Sequence, residues 1–358
     1  MTTMEQLNAL PVPTWNHLGV NAAPASAALP PVPDGGWGET NTKYDPLPAG
    51  AACRPTIPRA CVNLVSGLGE QADRAIRTQA NFARFFAAEG KLEAPILLRE
   101  TLDARGPNAV THTALHAKAG SDVTFVQLAQ GAGTSAALTQ IAAERDAHVK
   151  LVQVQLLTPA SRRWNGVAIR CATGARVEVV RIELGAGIVV AGARAALASR
   201  GGEFDLDAVY YGGGDAVLDF NDVSVHTARD TTSEQHTAGV LADRAQKVLR
   251  GTIDFRRGAV RGVGHESEDV LLFSPAVRNR TTPLILCTEE QVEGQHAATI
   301  GRLDEGMLYY LASRGLDPEE AKRLMVDARF APAIDKLPDD ALQAAVRAEI
   351  GRRLDHHA

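Results

Sequence analysis

Apolar and polar residues alternate along the middle of the chain, and this period of two predicts β-strands that each bury one face. In one such segment we expect Val152 and Val154 to face the core and Gln153 between them to face solvent. The same assignment buries Leu156, Val180, Ile182 and Leu184 and exposes Gln155, Arg181 and Glu183. The alternating segments are VTFVQLAQ (123–130), VKLVQVQLL (149–157), VEVVRIEL (177–184), EFDLDAVYY (203–211) and AVLDFNDVSVH (216–226).

The spacing of these segments restricts the architecture. Corresponding inward positions at Phe125, Val152, Val180 and Leu206 are separated by 27, 28 and 26 residues. A nearly constant step of this size fits the coils of a solenoid, in which each turn of short strands stacks on the one before. It also fits a sandwich of long hairpins, and the period alone does not separate the two architectures.

The first sixty residues have a different composition. They hold 10 of the 18 prolines of the chain, and that much proline prevents both a persistent helix and a central strand. We predict an extended arm on the surface, which Trp15 and Trp37 could hold to the body of the protein. A helix is predicted over 69–90, with apolar residues at Ala72, Ile76, Ala80, Ala83 and Phe86 and with Gly90 as its end.

The part after the alternating strands predicts a strand pair around Gly251 and Gly258, followed by three helices. The first helix is expected to begin near Leu303 and to end at Gly315. Asp317 opens the second helix as an N-cap, because proline follows it and glutamate stands at the third helical position. The predicted apolar positions of the three helices are Leu303, Met307, Tyr310 and Leu311, then Ala321, Leu324, Met325 and Ala328, then Leu342, Val346, Ile350 and Leu354; Arg352 and Arg353 suit the last helix end.

These patterns divide the chain into three parts: an arm with one helix over 1–94, a β core over 95–285 and a helical domain over 286–358. A chain of 358 residues is long enough to bury a large core. With 5% aromatic residues, that core has to be mainly aliphatic.

Composition and charge exclude several classes of protein. A net charge of -5 argues against a broad nucleic-acid-binding surface, which needs a basic stripe. We find neither a signal peptide pattern nor an apolar run of about 18 residues, so we expect a cytoplasmic protein without a membrane span.

The cysteines do not form a metal-binding pattern. Cys53, Cys61, Cys171 and Cys287 are scattered, whereas zinc and cluster sites that are recognisable in a sequence use close pairs such as CxxC. We therefore expect each of the four to be a small buried residue.

Other groups of polar residues also have ordinary interpretations. His265–Asp269 (HESED) is predicted to be a solvated turn, and His112 and His116 lack a third metal ligand. Gly212–Gly214 is predicted to be a turn, and no phosphate-binding loop of the form GxxxxGK[ST] is present. The five aspartates Asp205, Asp207, Asp215, Asp219 and Asp222 could bind calcium or cleave sugars in a β-helix enzyme, but alternation places them on the solvent side.

His296 is the best candidate for chemistry, because an imidazole binds iron or zinc well and titrates near neutral pH. It stands in QHAATIGRLDEGMLYYLASRGLDPEEAKRLM (295–325), and two further segments precede it, SEQHTAGVLADRAQKVLRGTIDFRRGA (233–259) and LLFSPAV (271–277). In order and spacing these segments resemble the C-terminal half of the SufB/SufD family, the scaffold subunits of the Suf iron-sulfur cluster assembly machinery. The resemblance is close over roughly 216–354 and weak before that.

The resemblance implies a fold and a role for His296. Family members share a β-helix core, so we expect a mainly β protein: a right-handed parallel β-helix with an N-terminal arm and C-terminal helices. In SufD the matching histidine lies at the SufB interface, where a transient iron-sulfur cluster is thought to form, which makes His296 the candidate metal ligand. SufB-type chains carry a glutamate and a cysteine where this chain has Ala297 and Pro283, and many SufD-type chains carry a cysteine at the position of Gly294. The sequence therefore looks SufD-like.

The resemblance also implies partners. A SufC-type ATPase would dock on the C-terminal helices, and a SufB-type subunit, or a second copy of this chain, would pair with the β-helix. On this interpretation the chain is a scaffold and not an enzyme, and it holds no permanent cofactor. Two alternatives stay open: a β-helix enzyme that acts on carbohydrates, and a SufB-like homodimer that builds clusters without a separate partner. The roles of Cys171 and Cys287 are open as well.

Overall fold

The computed structural model describes residues 7–30, 33, 36–302 and 305–355, except for the side chains of Glu305 and Met307. It contains two short 3₁₀ helices, at Asn16–Leu18 and Ala25–Ala27. The α-helices are α1 (Arg59–Val62), α2 (Glu70–Gln79), α3 (Glu305–Ser313), α4 (Pro318–Ile334) and α5 (Asp340–Asp355). The strands are β1 (Thr42–Tyr44), β2 (Ala51–Arg54), β3 (Phe82–Ala88), β4 (Ile96–Leu102), β5 (Asn108–Ala117), β6 (Asp122–Gly131), β7 (Thr134–Ala143), β8 (His148–Leu157), β9 (Arg162–Cys171), β10 (Arg176–Glu183), β11 (Ile188–Leu197), β12 (Glu203–Gly212), β13 (Val217–His226), β14 (Thr232–Leu241), β15 (Gln246–Phe255), β16 (Gly262–Leu272), β17 (Arg278–Cys287) and β18 (Val292–Arg302).

The strands form a β-solenoid of about eight turns. Sheet A has the order β1-β4-β6-β8-β10-β12-β14-β16-β18, and sheet B has the order β17-β15-β13-β11-β9-β7-β5-β3-β2. Each coil therefore gives one strand to each sheet, and neighbouring coils pair in parallel. Only β1 and β2 pair antiparallel, as edge strands at the first end. The mainly β fold with an N-terminal segment and C-terminal helices is confirmed.

The register corrects the predicted faces of the strands. Phe125 pairs with Leu151, Leu151 with Val179, and Val179 with Leu206, and these residues fill the space between the sheets. Val152 stands one position away, so it faces outward together with Val154, Leu156, Val180, Ile182 and Leu184, and these side chains pack in the cluster that contains the C-terminal helices. Gln153, Gln155, Arg181 and Glu183 are consequently buried inside the solenoid, not exposed as predicted.

Polar side chains inside the solenoid satisfy one another across the two sheets. Gln153 Nε2 donates to Gln127 Oε1 at 2.8 Å and to Asn165 Oδ1 at 3.1 Å. Arg181 makes two hydrogen bonds to the carboxylate of Asp222, at 2.8 and 2.7 Å. A buried charge needs such a partner, because burial of an unpaired charge costs several kcal/mol.

Helices α4 and α5 cover the outer face of sheet A. Val326, Phe330 and Ile334 of α4 and Val346 and Ile350 of α5 are fully or almost fully buried, in one cluster with the outward valines of sheet A. The predicted cap is confirmed, since the Asp317 side chain accepts from Glu319 N and Glu320 N and the Glu320 side chain accepts from Asp317 N. Two predicted apolar positions of the first helix are not described: Leu303 lies outside the described residues, and only the backbone of Met307 is described. Arg352 and Arg353 stand in the last turn of α5, as predicted.

The N-terminal arm crosses the outer face of sheet B. Asn8 Nδ2 donates to Asp219 Oδ1 at 2.7 Å, and Arg250 donates both to that carboxylate, at 2.6 Å, and to Val20 O, at 2.5 Å. Trp37 donates to Gln79 and packs against the body of the protein. Trp15 is 75% exposed, so the prediction that it pins the arm is wrong.

Three elements differ from the predicted ones. The helix over 69–90 ends at Gln79, and Phe82–Ala88 is instead strand β3, whose Phe82 and Phe86 pack in the solenoid core. Gly251 lies within the single strand β15 and does not separate two strands. The HESED segment is part of β16 and not a turn. The solenoid strands thus run from Phe82 to Arg302, beyond the predicted core on both sides.

The structure also revises several single residues. Cys61 and Cys171 are buried as predicted, but Cys53 is half-buried and Cys287 is exposed. Asp219 and Asp222 are buried in ion pairs with Arg250 and Arg181, so the prediction that they face solvent is wrong. The turn predicted at Gly212–Gly214 is present but lies slightly later, because Gly212 ends β12 and the turn is formed by Gly214 and Asp215. Within the described ranges, no helix is both long and apolar enough to cross a membrane.

We predict that Asp219→Ala destabilises the protein by about 3 to 5 kcal/mol, because it leaves the buried Arg250 guanidinium without its counter-charge. Denaturant unfolding followed by the fluorescence of Trp164, which donates to Ala27 O of the arm at 2.9 Å, measures the change. The matched control is Asp215→Ala. Asp215 pairs with Arg244 on the surface, so its loss should leave the free energy of unfolding close to that of the wild type. Equal costs for the two variants would contradict the role given to the buried pair.

We predict a pH-dependent contribution from His226, whose ring bonds Thr231 Oγ1 at 2.8 Å and Ser233 Oγ at 2.9 Å. Burial lowers the pKa of His226 from 6.5 to about 4. The unfolded chain therefore binds a proton that the folded chain does not between these two values, and stability falls by roughly 3 kcal/mol as the pH falls from 6.5 to 4. Carboxylates titrate in the same range, so the measured quantity is the difference between the wild type and His226→Gln. The same pH slope in both proteins would contradict the prediction.

Candidate functional site at the open end of the solenoid

The two ends of the solenoid differ. At the first end, the short strands β1 and β2 cover the edges of the two sheets, and Leu47, Ala51 and Cys53 pack against the core. At the second end the sheets stop at β17 and β18, each paired on one side only in the described part of the chain. The inward side chains of this last coil are therefore largely exposed, as nearly all of β18 is.

His296 lies in this last coil and faces its interior. It pairs in register with Glu266 of β16, whose side chain points inward. Across the interior, Glu266 faces Gly251, and Gly251 pairs in register with Pro283 of β17. His296 therefore lies one coil beyond Glu266, and Pro283 lies one coil beyond Gly251. The two residues face each other at the open end.

Glu266 lies directly below this pair. A Cβ built on Gly251 would stand 1.7 Å from Glu266 Oε1, so only glycine leaves room for the carboxylate. The side chain is 7% exposed, and its Oε2 atom is buried without a hydrogen-bond partner among the described residues. Burial raises the pKa of Glu266 to about 8, and the neighbouring Asp222 and Glu268 add to the rise.

A second carboxylate near the open end is fully paired. Glu268 accepts from Lys247 Nζ at 2.5 Å, from Tyr210 Oη at 3.1 Å and from Thr281 Oγ1 of the last coil at 2.5 Å. Burial lowers the pKa of Lys247, and the attraction of Glu268 opposes this shift. These hydrogen bonds attach β17 to the coil beneath it, which is the coil that carries Glu266 below His296.

Two other residues of the last coil are separate from His296. Cys287 pairs in register with Phe255, four residues along β17 from Pro283, which is about 13 Å in a strand. Its thiol donates to Glu289 O at 2.8 Å. At Gly294 a Cβ would meet Phe255 Cε2 at 3.0 Å and Ile285 Cγ2 at 3.3 Å. The glycine therefore allows close packing at this position.

The remaining candidate groups do not form sites. His112 bonds Gln140 of the neighbouring strand β7 at 2.8 Å, and His116 bonds Glu144, directly after that strand, at 2.7 Å. Asp205 and Asp207 pair with Arg176 and Lys336, so the aspartates do not converge on a groove. Among the residues that the structure describes, no group of three or more histidine, cysteine or acidic side chains is arranged to hold a metal ion.

The sequence of this solenoid matches a known family. The profile described as SUF system FeS cluster assembly, SufBD core domain, matches residues 101–329, well over half of the 358 residues. The chain belongs to this family. The matched range contains the solenoid from β5 to β18, including His296 and Glu266, and continues into α4. Membership confirms the resemblance to SufB and SufD and links this SufBD-family chain to iron-sulfur cluster assembly.

Curated relatives agree with this assignment. The iron-sulfur cluster assembly protein SufD of Bacillus subtilis is 30% identical over 150 residues, which cover 42% of this chain and 34% of the relative. SufD of Escherichia coli is 29% identical over 129 residues, 36% of this chain and 30% of the relative. A SufBD-family protein of Pyrococcus horikoshii is 35% identical over 99 residues, 28% of this chain and 22% of the relative. The chain thus matches about a third or less of the length of these relatives.

The sequence alone did not reveal Glu266 or its neighbours. The sequence predicts HESED to be a polar turn between two strands, because all five residues are polar, whereas it lies within β16. The inward position of Glu266 could have been predicted by aligning its segment with the preceding coil, since β14 and β16 pair residue by residue over ten positions at a constant offset. Extending that offset from TSEQHTAGVL puts Glu266 and Glu268 inward, next to Gln235 and Thr237.

We predict that Gly251→Ala displaces the Glu266 carboxylate and costs on the order of 1 to 3 kcal/mol. The cost should shrink in a Glu266→Ala background, where the methyl group has room. A double-mutant cycle of unfolding free energies measures this coupling, expected at about 0.5 to 3 kcal/mol. Strictly additive effects of the two changes would show that the carboxylate does not occupy the space above Gly251.

Proposed function

We propose that this chain is a SufD-like scaffold subunit of a Suf iron-sulfur cluster assembly complex. It pairs with a SufB-type subunit at the open end of the solenoid and is bound by a SufC-type ATPase on its C-terminal helices. The iron-sulfur cluster is the cargo of the complex and forms next to His296. The chain itself catalyses no reaction. The exposed, inward-facing His296 in an uncovered last coil is the observation that carries this proposal.

The open end supports pairing with another solenoid. A parallel sheet that ends in an unpaired strand exposes backbone N–H and C=O groups, and another strand can satisfy them. β17 and β18 both end in this way among the described strands, and Ile300 of β18 is 53% exposed. Two solenoids that met at these edges would continue the hydrogen bonding of both sheets and would cover His296 from solvent.

The residues around His296 favour a partner of a different kind over a second identical copy. Pro283 faces His296 and offers neither a thiolate nor a carboxylate, and Ala297 lies on the outward side of β18. A homodimer would bring two histidines together without any cysteine opposite them. A SufB-type partner would supply the thiolate and glutamate that this chain lacks at Pro283 and Ala297.

An exposed apolar surface on the helices supports docking of the ATPase. Tyr309 and Tyr310 of α3 are 79% and 51% exposed, and Leu324 of α4 is 49% exposed. Large exposed aromatic and aliphatic residues on neighbouring helices are typical of protein-binding surfaces. The opposite side of α4 is fixed to sheet A, with Arg329 bound to Asp269 and Lys336 bound to Asp207. A force applied to these helices would therefore reach the solenoid.

We predict that the chain co-purifies with the SufB-type and SufC-type proteins of its own genome. The paired substitution Tyr309→Ala and Leu324→Ala should abolish retention of the ATPase, because exposed aromatic anchors carry much of the binding energy at such surfaces. Ile300→Glu should remove the SufB-type subunit and leave the ATPase bound. Removal of all residues after 302 is a weaker test, since it would also expose the outward valines that α4 and α5 cover.

The matched control is Trp15→Ala, which removes an equally exposed aromatic side chain from the N-terminal arm and should change neither interaction. If the intact chain retains neither protein, the scaffold proposal is wrong. If Trp15→Ala removes the ATPase and the change at Tyr309 and Leu324 does not, the docking surface has been assigned to the wrong part of the chain.

A further inference from the structure

Glu266 is a buried carboxylate that the fold does not explain. Among the described residues, four carboxylates lie within the solenoid towards its open half. Asp222 bonds Arg181 and Glu268 bonds Lys247, while Glu183 accepts from Asn165 through Oε1 and its Oε2 atom has no partner. Glu266 has no such partner for its buried Oε2 atom. An unpaired buried carboxylate is costly, and replacement by an apolar residue would normally be favourable.

The nearest cations are already engaged. Arg181 bonds both oxygens of Asp222, and Lys247 bonds Glu268 and Thr281. Asp222 and Glu268 thus use these two charges, while their own carboxylates border Glu266. The cationic groups of this region are therefore bonded to Asp222 and Glu268, and Glu266 is left without a hydrogen-bonded cationic partner among the described residues.

His296 stands directly above this carboxylate. The two residues pair in register on adjacent parallel strands, which lie about 4.8 Å apart. Both side chains project inward, so one point in the last coil lies within reach of both. The coil is open on its outer side, because β18 is exposed over nearly its whole length. A cation at that point would meet one imidazole nitrogen and one carboxylate oxygen, and its other positions would face the opening.

We propose that Glu266 is a metal ligand and that it completes, with His296, a site for one divalent transition-metal ion within this chain. Imidazole together with carboxylate suits iron(II), cobalt(II), manganese(II) and zinc(II). The positions towards the opening are left for water, sulfide or a ligand of the partner subunit. Identification of iron(II) as the natural ion rests on the proposed function, but binding of a divalent ion by the isolated chain does not.

The experiment uses the full chain, freed of metal with a chelator and titrated with cobalt(II) as an air-stable substitute for iron(II). Calorimetry gives the affinity, and the visible absorption of cobalt(II) reports the ligands. We expect Glu266→Gln and His296→Ala each to weaken the tightest site by about tenfold or more. The double variant should be no weaker than either single one, because both changes remove the same site.

The matched controls lie on the outward faces of the same strands. His265 bonds Glu234 at 2.8 Å and lies 3.5 Å from Glu293, so it is the other arrangement of histidine and carboxylates at this end of the solenoid. Glu293→Gln and His265→Ala should leave the tightest site unchanged. Loss of cobalt(II) binding in these controls, and not in Glu266→Gln, would place the ion on the outer surface and overturn the proposal.

Thermal unfolding separates a lost ligand from a lost fold. In the presence of chelator, Glu266→Gln should melt close to the temperature of the wild type, because glutamine has nearly the same shape as glutamate and introduces no charge. Cobalt(II) should raise the melting temperature of the wild type and not that of the variant. If Glu266→Gln does not fold, Glu266→Asp retains the carboxyl group but withdraws it by one methylene group, and it should bind cobalt(II) more weakly.

The outcome of the cobalt(II) titration does not depend on whether the chain forms a complex with the SufB-type subunit and the ATPase. If the chain binds the ATPase and the SufB-type subunit but Glu266→Gln binds cobalt(II) as tightly as the wild type, the metal proposal is wrong and the scaffold proposal stands. If Glu266 and His296 bind cobalt(II) but the chain retains neither partner, the scaffold proposal is wrong and the metal proposal stands.

Discussion

Parallel stacking of one coil on the next is the constraint on which the rest of this structure depends. In a solenoid every inward residue lies above one residue of the preceding coil and below one of the following coil. A charged side chain in the interior therefore has few positions from which a partner can reach it. Arg181 finds Asp222 on the opposite sheet one coil further on, and Lys247 finds Glu268 in the same way. The interior is thus a series of pairs that the register has to align.

The same rule explains why the last coil differs from all the others. Each described coil before it has neighbours on both sides, or the short antiparallel strands at the first end. β17 and β18 have a neighbour on one side only, so their inward residues need not be apolar. Pro283 and His296 would be unusual in the middle of the core, and they stand in the coil where burial is least. The candidate site therefore lies where the repeat stops.

Much of the fold could be predicted from the sequence, but the faces of its strands could not. Alternation located five strands correctly, yet it does not tell which face is inside when both faces are covered. Val152 and Val180 are apolar because α4 and α5 cover them, while Gln153 and Arg181 are polar because partners inside the solenoid satisfy them. Helical spacing predicted α2 with Ala72 and Ile76 correctly but failed after Gln79, since β3 uses small and aromatic residues as an inner strand of a sheet. The site shows a related limit: His296 was found through the family's motif, whereas Glu266 becomes visible only when its strand is aligned with β14.

The position of the N-terminal arm has a consequence for the order in which the protein folds. Asn8 bonds Asp219, and Val20 bonds Arg250, so the arm's contacts join residues separated by 211 and 230 positions. Contacts this distant in sequence form late, and during synthesis they have to wait until both ends have left the ribosome. The coils can stack in order from the first end, and the part of the arm around Ala27 can dock once Trp164 has been made. Ribosome-bound chains that stop before Arg250 still lack the partner of Val20, so the contact between Val20 and Arg250 marks the moment at which the solenoid is long enough to hold this part of the arm.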